Sequence, residues 1–283
     1  MGCGWSESEL ETGEGRLPVR FYRPADSQRS PALVLHLHGG AFTAGSPACG
    51  ECVARLLAEA GALVASVDYP LAPAHPFPEP LNRSFAALQA LHARRSCWAG
   101  RAARLFVAGE EAGANLAAAL ALMARDQGGP PLAGQILISP MLDPALATRS
   151  IRAAEAGAVG CRFAEGWHRY LGSAEKAAHP YAAPLGSNRL GRLPPALILT
   201  AEDDPMRDES LAYGERLKAG GVPVTTHVVP APTRWPAALA ENPDASPAMP
   251  PDWCGPLRSV FRDFLARPSE RAVPERLSDS TRP

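Results

Sequence analysis

The sequence predicts an α/β domain, a mostly parallel sheet with helices on both faces. Three observations carry this. Short apolar runs such as Ala32–Leu37 and Ala62–Val67 read as strands buried on both sides. Stretches of helical periodicity separate them; over residues 80–93, Leu81, Phe85, Leu88 and Leu91 recur at spacings of three and four. The chain has 283 residues, 46% of them hydrophobic, enough for one large α/β domain with a sizeable core.

The elements follow in order. Residues 1–16 are acidic and polar and are expected to be a flexible N-terminus, with the domain over 17–267. Residues 17–22 read as an edge strand and 52–60 as a helix ending at Gly61. Further strands are expected at 104–108, 135–139, 196–200 and Val224–Val229, and helices at 114–124, 211–219 and 257–266. Strand–helix alternation implies a parallel sheet, whose ligands bind beyond the C-terminal strand ends. Two segments break the alternation: 148–194, a helical cap-like insertion, and 230–256, a proline-rich irregular loop. Residues 268–283 are charged and proline-bearing, the composition of a disordered tail.

Composition excludes several function classes. A formal net charge of −1 offers no field for nucleic acid. No apolar run approaches the ~18 residues of a membrane span, and no signal-peptide core opens the chain, so a cytoplasmic protein is expected. Gly2 and Ser6 fit the loose myristoylation pattern, with no basic patch as a second anchor. Six cysteines without an export signal are expected to be thiols. Cys49 and Cys52 form one CxxC, but no second pair completes a metal site, and no phosphate-binding loop is present. No metal and no cofactor are implied.

The segment from Leu105 to Ala117 reads as strand, sharp turn and helix. Gly109-Glu110-Glu111-Ala112-Gly113 is the frame of a nucleophile elbow, Gly-x-Ser-x-Gly, with Glu111 in place of the serine. His38-Gly39-Gly40-Ala41-Phe42 looks like an oxyanion-hole motif. Asp68-Tyr69-Pro70-Leu71-Ala72-Pro73-Ala74-His75-Pro76-Phe77-Pro78, His179-Pro180-Tyr181-Ala182-Ala183-Pro184 and Asp204-Pro205-Met206-Arg207-Asp208-Glu209 complete an ordered set. With these motifs the chain resembles the hormone-sensitive-lipase-like (acetyl-esterase) group of α/β-hydrolases. The resemblance covers roughly residues 17–264. It implies the α/β-hydrolase fold with a small helical cap, a ligand that is a small carbonyl or ester-like molecule, and a possible homodimer through the last strand and helix.

The resemblance also exposes departures. Its Ser-His-Asp triad maps onto Glu111, Arg234 and Asp204, so only the acid is retained. The motif at His38 comes early, leaving little of the usual N-terminal cap. Gly39, Gly40 and Ala112 are the expected oxyanion donors, and Phe42, Trp167, Tyr170 and Trp235 the expected pocket wall. Glu111 is a poor nucleophile toward esters, since attack would leave an anhydride. Its carboxylate is itself an anion, and is expected near the oxyanion donors. Arginine offers a fork of donors to carboxylates, so Arg234 is expected to bridge Glu111 and Asp204. The expected protein lacks ordinary esterase activity and serves as a ligand-binding or scaffolding pseudoenzyme. The alternatives are a non-hydrolytic cyclase, lyase or isomerase using Glu111 as general acid or base, or a residual ester hydrolase. Glu110, His36 and His75 are read as structural, Asp203 as solvated or capping, and His168 as a surface or packing residue.

Overall fold

The computed structural model describes residues 3–24, 31–154, 158–233 and 254–267. Eight strands form one sheet: β1 (Gly4–Thr12), β2 (Gly15–Arg23), β3 (Ala32–Leu37), β4 (Ala62–Val67), β5 (Arg104–Glu110), β6 (Gly134–Ile138), β7 (Ala196–Ala201) and β8 (Val224–Val229). Their spatial order is β1-β2-β4-β3-β5-β6-β7-β8. β2 is antiparallel to both its neighbours, and all pairs from β4 to β8 are parallel.

Period-two side-chain alternation divides the core between the two faces of the sheet. Leu33, Leu35 and Leu37 of β3, with Leu105 and Val107 of β5, pack on one face; Val34, Phe106 and Ala108 pack on the other. The first face is covered by α2 (Glu79–Ala93), α4 (Ala112–Asp126) and α7 (Arg207–Ala219), the second by α1 (Glu51–Glu59) and α8 (Cys254–Ala266). A short α3 (Arg95–Trp98) follows α2, and α5 (Arg149–Ala154) and α6 (Ala158–Leu171) lie in the insertion between β6 and β7. Every residue of α4 from Ala112 to Ala124 is buried, and small alanines let it lie close against β5 and β6.

Two expectations fail at the N-terminus. The stretch 1–16 contains β1, which pairs residue for residue with β2 through Thr12↔Gly15. The Thr12 hydroxyl closes this turn by donating to the Gly15 carbonyl and accepting from Glu14 N–H. β1 buries little besides Leu10, so its apolar signal is weak and backbone pairing defines it. β2 is consequently an interior strand and not an edge; Leu17, Val19 and Phe21 face the core with period two. The expected loop 230–256 and tail 268–283 lie almost wholly outside the described residues. Among the described residues no helix is long and apolar enough to cross a membrane.

β4 and β5 lie on opposite sides of β3, so the chain reverses its winding direction there. Such a switch point opens a crevice beyond the carboxyl ends of the strands. The His38–Phe42 loop leaves β3 at that place and Glu111 leaves β5.

Candidate active site

Backbone contacts set the elbow. A Cβ on Gly109 would stand 2.4 Å from the Gly113 carbonyl carbon, and one on Gly113 would stand 2.0 Å from the Leu37 carbonyl oxygen. Both glycines are therefore imposed by the close approach of α4 to β5 and β3. The turn forces Glu111 to φ 55° and ψ −115°, a left-handed conformation unfavourable for a side-chain-bearing residue. Glu111 N–H donates to Ile138 carbonyl at 2.9 Å, and its carbonyl accepts from Asn115 and Met141 N–H, each at 3.2 Å.

The Glu111 side chain turns inward and is only 4% exposed. Oε1 accepts from Ala41 N–H at 2.9 Å. Gly40, Ala41 and Phe42 all have positive φ (122°, 48° and 64°), which aims the loop's N–H groups at this spot. Gly39 N–H instead donates to Glu110 Oε1 at 3.2 Å. Gly39, expected as an oxyanion donor, thus points its N–H at Glu110, and the loop amide that meets Glu111 is that of Ala41. Ala112 is the first residue of α4, where the N–H has no intrahelical acceptor.

The cation on Glu111 comes from the cap. Arg162 of α6 places Nη2 3.2 Å from Oε1 and 3.3 Å from Oε2. One turn along, Gly166 lets α6 approach the oxyanion loop, since a Cβ there would lie 2.3 Å from the Ala41 carbonyl oxygen. Burial raises the Glu111 pKa above its ordinary 4.5; Arg162 and the Ala41 N–H oppose the shift. Sequence reading missed Arg162 because the pair is separated by 51 residues and nothing local links them. Its only trace is that Arg162 precedes Gly166 by one helical turn. Arg234, expected to bridge the two acids, lies outside the described residues, as does Trp235.

Asp204 sits at the end of β7 and is 1% exposed. Ser139 Oγ and Met206 N–H donate to Oδ1, both at 2.8 Å, and Thr200 Oγ1 donates to Oδ2. Desolvation pushes its pKa up to about 6 against these three donors. Asp203 accepts from Thr233 N–H at 2.6 Å and from the Thr233 hydroxyl, the capping role expected of it at the start of the loop after β8.

Glu110, His36, His38 and His75 have structural partners. His36 bridges Ser66 Oγ at 2.9 Å and Glu110 Oε2 at 2.7 Å inside the sheet. The ring of His38 stacks on Tyr69 at 4.3 Å, and its Nδ1 donates to the Gly39 carbonyl. Burial lowers the His38 pKa to about 4, so its 4.0 Å approach to Asp68 is not an ion pair at neutral pH. His75 meets Glu79 at 2.8 Å, and His168 is exposed. The aromatic residues expected to wall a pocket pack on one another: Phe42 stacks on Tyr170 at 3.9 Å and tilts against Trp167 at 5.0 Å. All three are almost fully buried, so they plug the seam between cap and sheet. Cys3, beside the N-terminal pattern, is buried with its thiol on the Arg23 carbonyl.

A switch-point crevice with a strained elbow, an inward-facing oxyanion loop and an acid at the end of β7 defines the site of an α/β-hydrolase. A profile of the alpha/beta hydrolase fold matches residues 34–233, and the chain belongs to that family. It is 37% identical over 214 residues to carboxylesterase NlhH of Mycobacterium tuberculosis, covering 74% of this chain and 67% of that enzyme. It is 32% identical over 225 residues to an arylesterase of Saccharolobus solfataricus, covering 77% and 72%. Among solved structures, a bacterial heroin esterase superposes with a TM-score of 0.78 at 30% identity, covering 93% of this chain and 84% of that one. The thermostable carboxylesterase EstE1, cloned from a metagenomic library, superposes with a TM-score of 0.81 at 27% identity, covering 94% and 91%. The chain is therefore a carboxylesterase-like α/β-hydrolase of the hormone-sensitive-lipase-like group.

Proposed function

We propose that this α/β-hydrolase has given up serine ester hydrolysis and binds a small carbonyl or ester-like molecule beneath its cap. The supporting observation is the carboxylate of Glu111 on the Ala41 N–H of the loop after β3. In a serine hydrolase such donors receive the oxyanion of the tetrahedral intermediate. Here an internal anion takes one, and no hydroxyl nucleophile stands at the elbow. In the sequence Arg234 falls where the resemblance expects the histidine, and an arginine is a permanent cation and no base.

A second reading has Glu111 as a proton-transfer group in a cyclisation, elimination or isomerisation. The raised pKa of its buried carboxyl favours it, because a general acid or base works best near the ambient pH. Both readings predict no turnover of short-chain p-nitrophenyl esters above buffer, in wild type and in Glu111→Ala alike. Glu111-dependent turnover overturns both and makes the carboxylate a hydrolytic group.

A further inference from the structure

We propose that Arg162 anchors a carboxylate-bearing ligand at the mouth of this site. The proposal rests on reading the site as a binding site for a small carbonyl compound and narrows that class to a monocarboxylate.

Exposure decides the sign of the ligand. The Arg162 side chain is 49% exposed, whereas that of Glu111 is 4% exposed. A solute arriving at the elbow therefore meets a guanidinium first and finds the carboxylate shielded behind it. A cationic ligand would have to displace Arg162 to reach Glu111.

Donor count supports the same conclusion. Arg162 spends one nitrogen on Glu111, with Nη2 straddling the two carboxylate oxygens. This is not the fork-to-fork pairing by which arginine satisfies a carboxylate. Among the described residues, Nε and Nη1 have no hydrogen-bond partner. Glu111 needs only that one nitrogen, because the backbone N–H of Ala41 takes up part of its charge. The guanidinium is held in place from below, its carbon 5.2 Å from the Phe163 ring centroid. Gly166 fixes the height of α6 above the Ala41 carbonyl. Nε and Nη1 share no edge, so a second carboxylate pairs with Nη1 and the remaining Nη2 hydrogen, the end-on edge of the guanidinium. An ester offers it one neutral carbonyl oxygen and no charge.

The experiment is calorimetric titration of the full chain with n-butyrate and benzoate, beside methyl butyrate and n-butylamine, at constant ionic strength. The expected result is saturable binding of the acids, with ester and amine at least tenfold weaker. Arg162→Gln should weaken acid binding by about 10- to 100-fold, the usual effect of a charge-assisted pair. Arg162→Lys, which keeps the charge and loses the fork, should fall between. Glu111→Gln should tighten acid binding several-fold, because it removes a neighbouring negative charge and releases Nη2. Equal binding of ester and acid, acid binding indifferent to Arg162→Gln, weakening by Glu111→Gln, or no saturable binding of either acid would each overturn the proposal. Thermal unfolding of each variant confirms that it is folded. Failure here and failure of the functional reading stay distinguishable, because ester turnover is assayed separately and does not depend on acid binding.

Discussion

The two ends of the site have diverged to different degrees. At the acid end, Asp204 keeps a bed of neutral donors, Ser139, Thr200 and the Met206 N–H. At the elbow, the backbone is that of a hydrolase while the side-chain chemistry is new: Glu111 is paired with a cap arginine and with the oxyanion loop. The difference teaches where the constraint lies. The elbow is fixed by glycine contacts between α4, β5 and β3, which do not depend on the residue at its tip. A buried carboxylate placed there must still be compensated, since an unpaired one is very costly. It takes the Ala41 N–H of the adjoining loop, which the proposed function counts among the donors of an oxyanion hole.

The sharpest way to break the comparison is to restore the chemistry. In serine hydrolases, loss of the nucleophile or of the base alone costs on the order of 10⁶-fold, about as much as loss of the whole triad. Glu111→Ser alone should therefore stay at background on p-nitrophenyl butyrate. Glu111→Ser with Arg234→His should rise by several orders of magnitude. Activity in the single variant would mean that a base already stands at the site.

The next effect concerns the frame. Gly113→Ala should destabilise by more than about 4 kcal/mol in urea unfolding, because its Cβ would enter the Leu37 carbonyl. Gly186→Ala, at a position with nothing within 4 Å, should change stability by less than about 0.5 kcal/mol. Similar small values for both would show that the elbow is not held by this contact.

Asp204 gives a pH test of the acid end. Its pKa is raised from 3.8 to about 6, so between these values the native state binds more protons than the unfolded chain. Its contribution to stability is present in full below pH 3.8 and is lost as pH rises through about 6. Two units correspond to roughly 3 kcal/mol. Asp204→Asn should flatten the pH dependence of the urea midpoint across that window. An unchanged slope would contradict the raised pKa.

The smallest effect expected within the site is that of Arg162→Met. Breaking a fully buried pair costs about 3–5 kcal/mol. Arg162 is half exposed, so a loss of about 1–2 kcal/mol is expected, largely relieved by Glu111→Gln in the same chain. A double-mutant cycle showing no coupling would detach the cap from the elbow.

Much of the frame was legible in the sequence, because its signals are local. The apolar runs of β3 and β4, the periodicity of α2 and the glycine spacing around Glu111 each report on their own neighbourhood. The idea that Glu111 would sit near the oxyanion donors followed from charge alone. What was not legible depends on distant approach. Ala41 becomes a donor only because three consecutive residues adopt positive φ, with Gly39 turned away toward Glu110. Arg162 reaches Glu111 only because Gly166 seats α6 on the loop. β1 was missed because eight of its nine residues are not buried, and its order comes from pairing with β2.

The central claim is that the Glu111 carboxylate occupies a loop donor, and the Ala41 amide reports on it directly. In a pH titration followed by ¹H–¹⁵N correlation NMR, the account predicts a downfield-shifted Ala41 amide proton. It should titrate with a midpoint above the ordinary 4.5 of glutamate and lose both shift and titration in Glu111→Ala. An Ala41 resonance that neither titrates nor responds to Glu111→Ala would contradict the account.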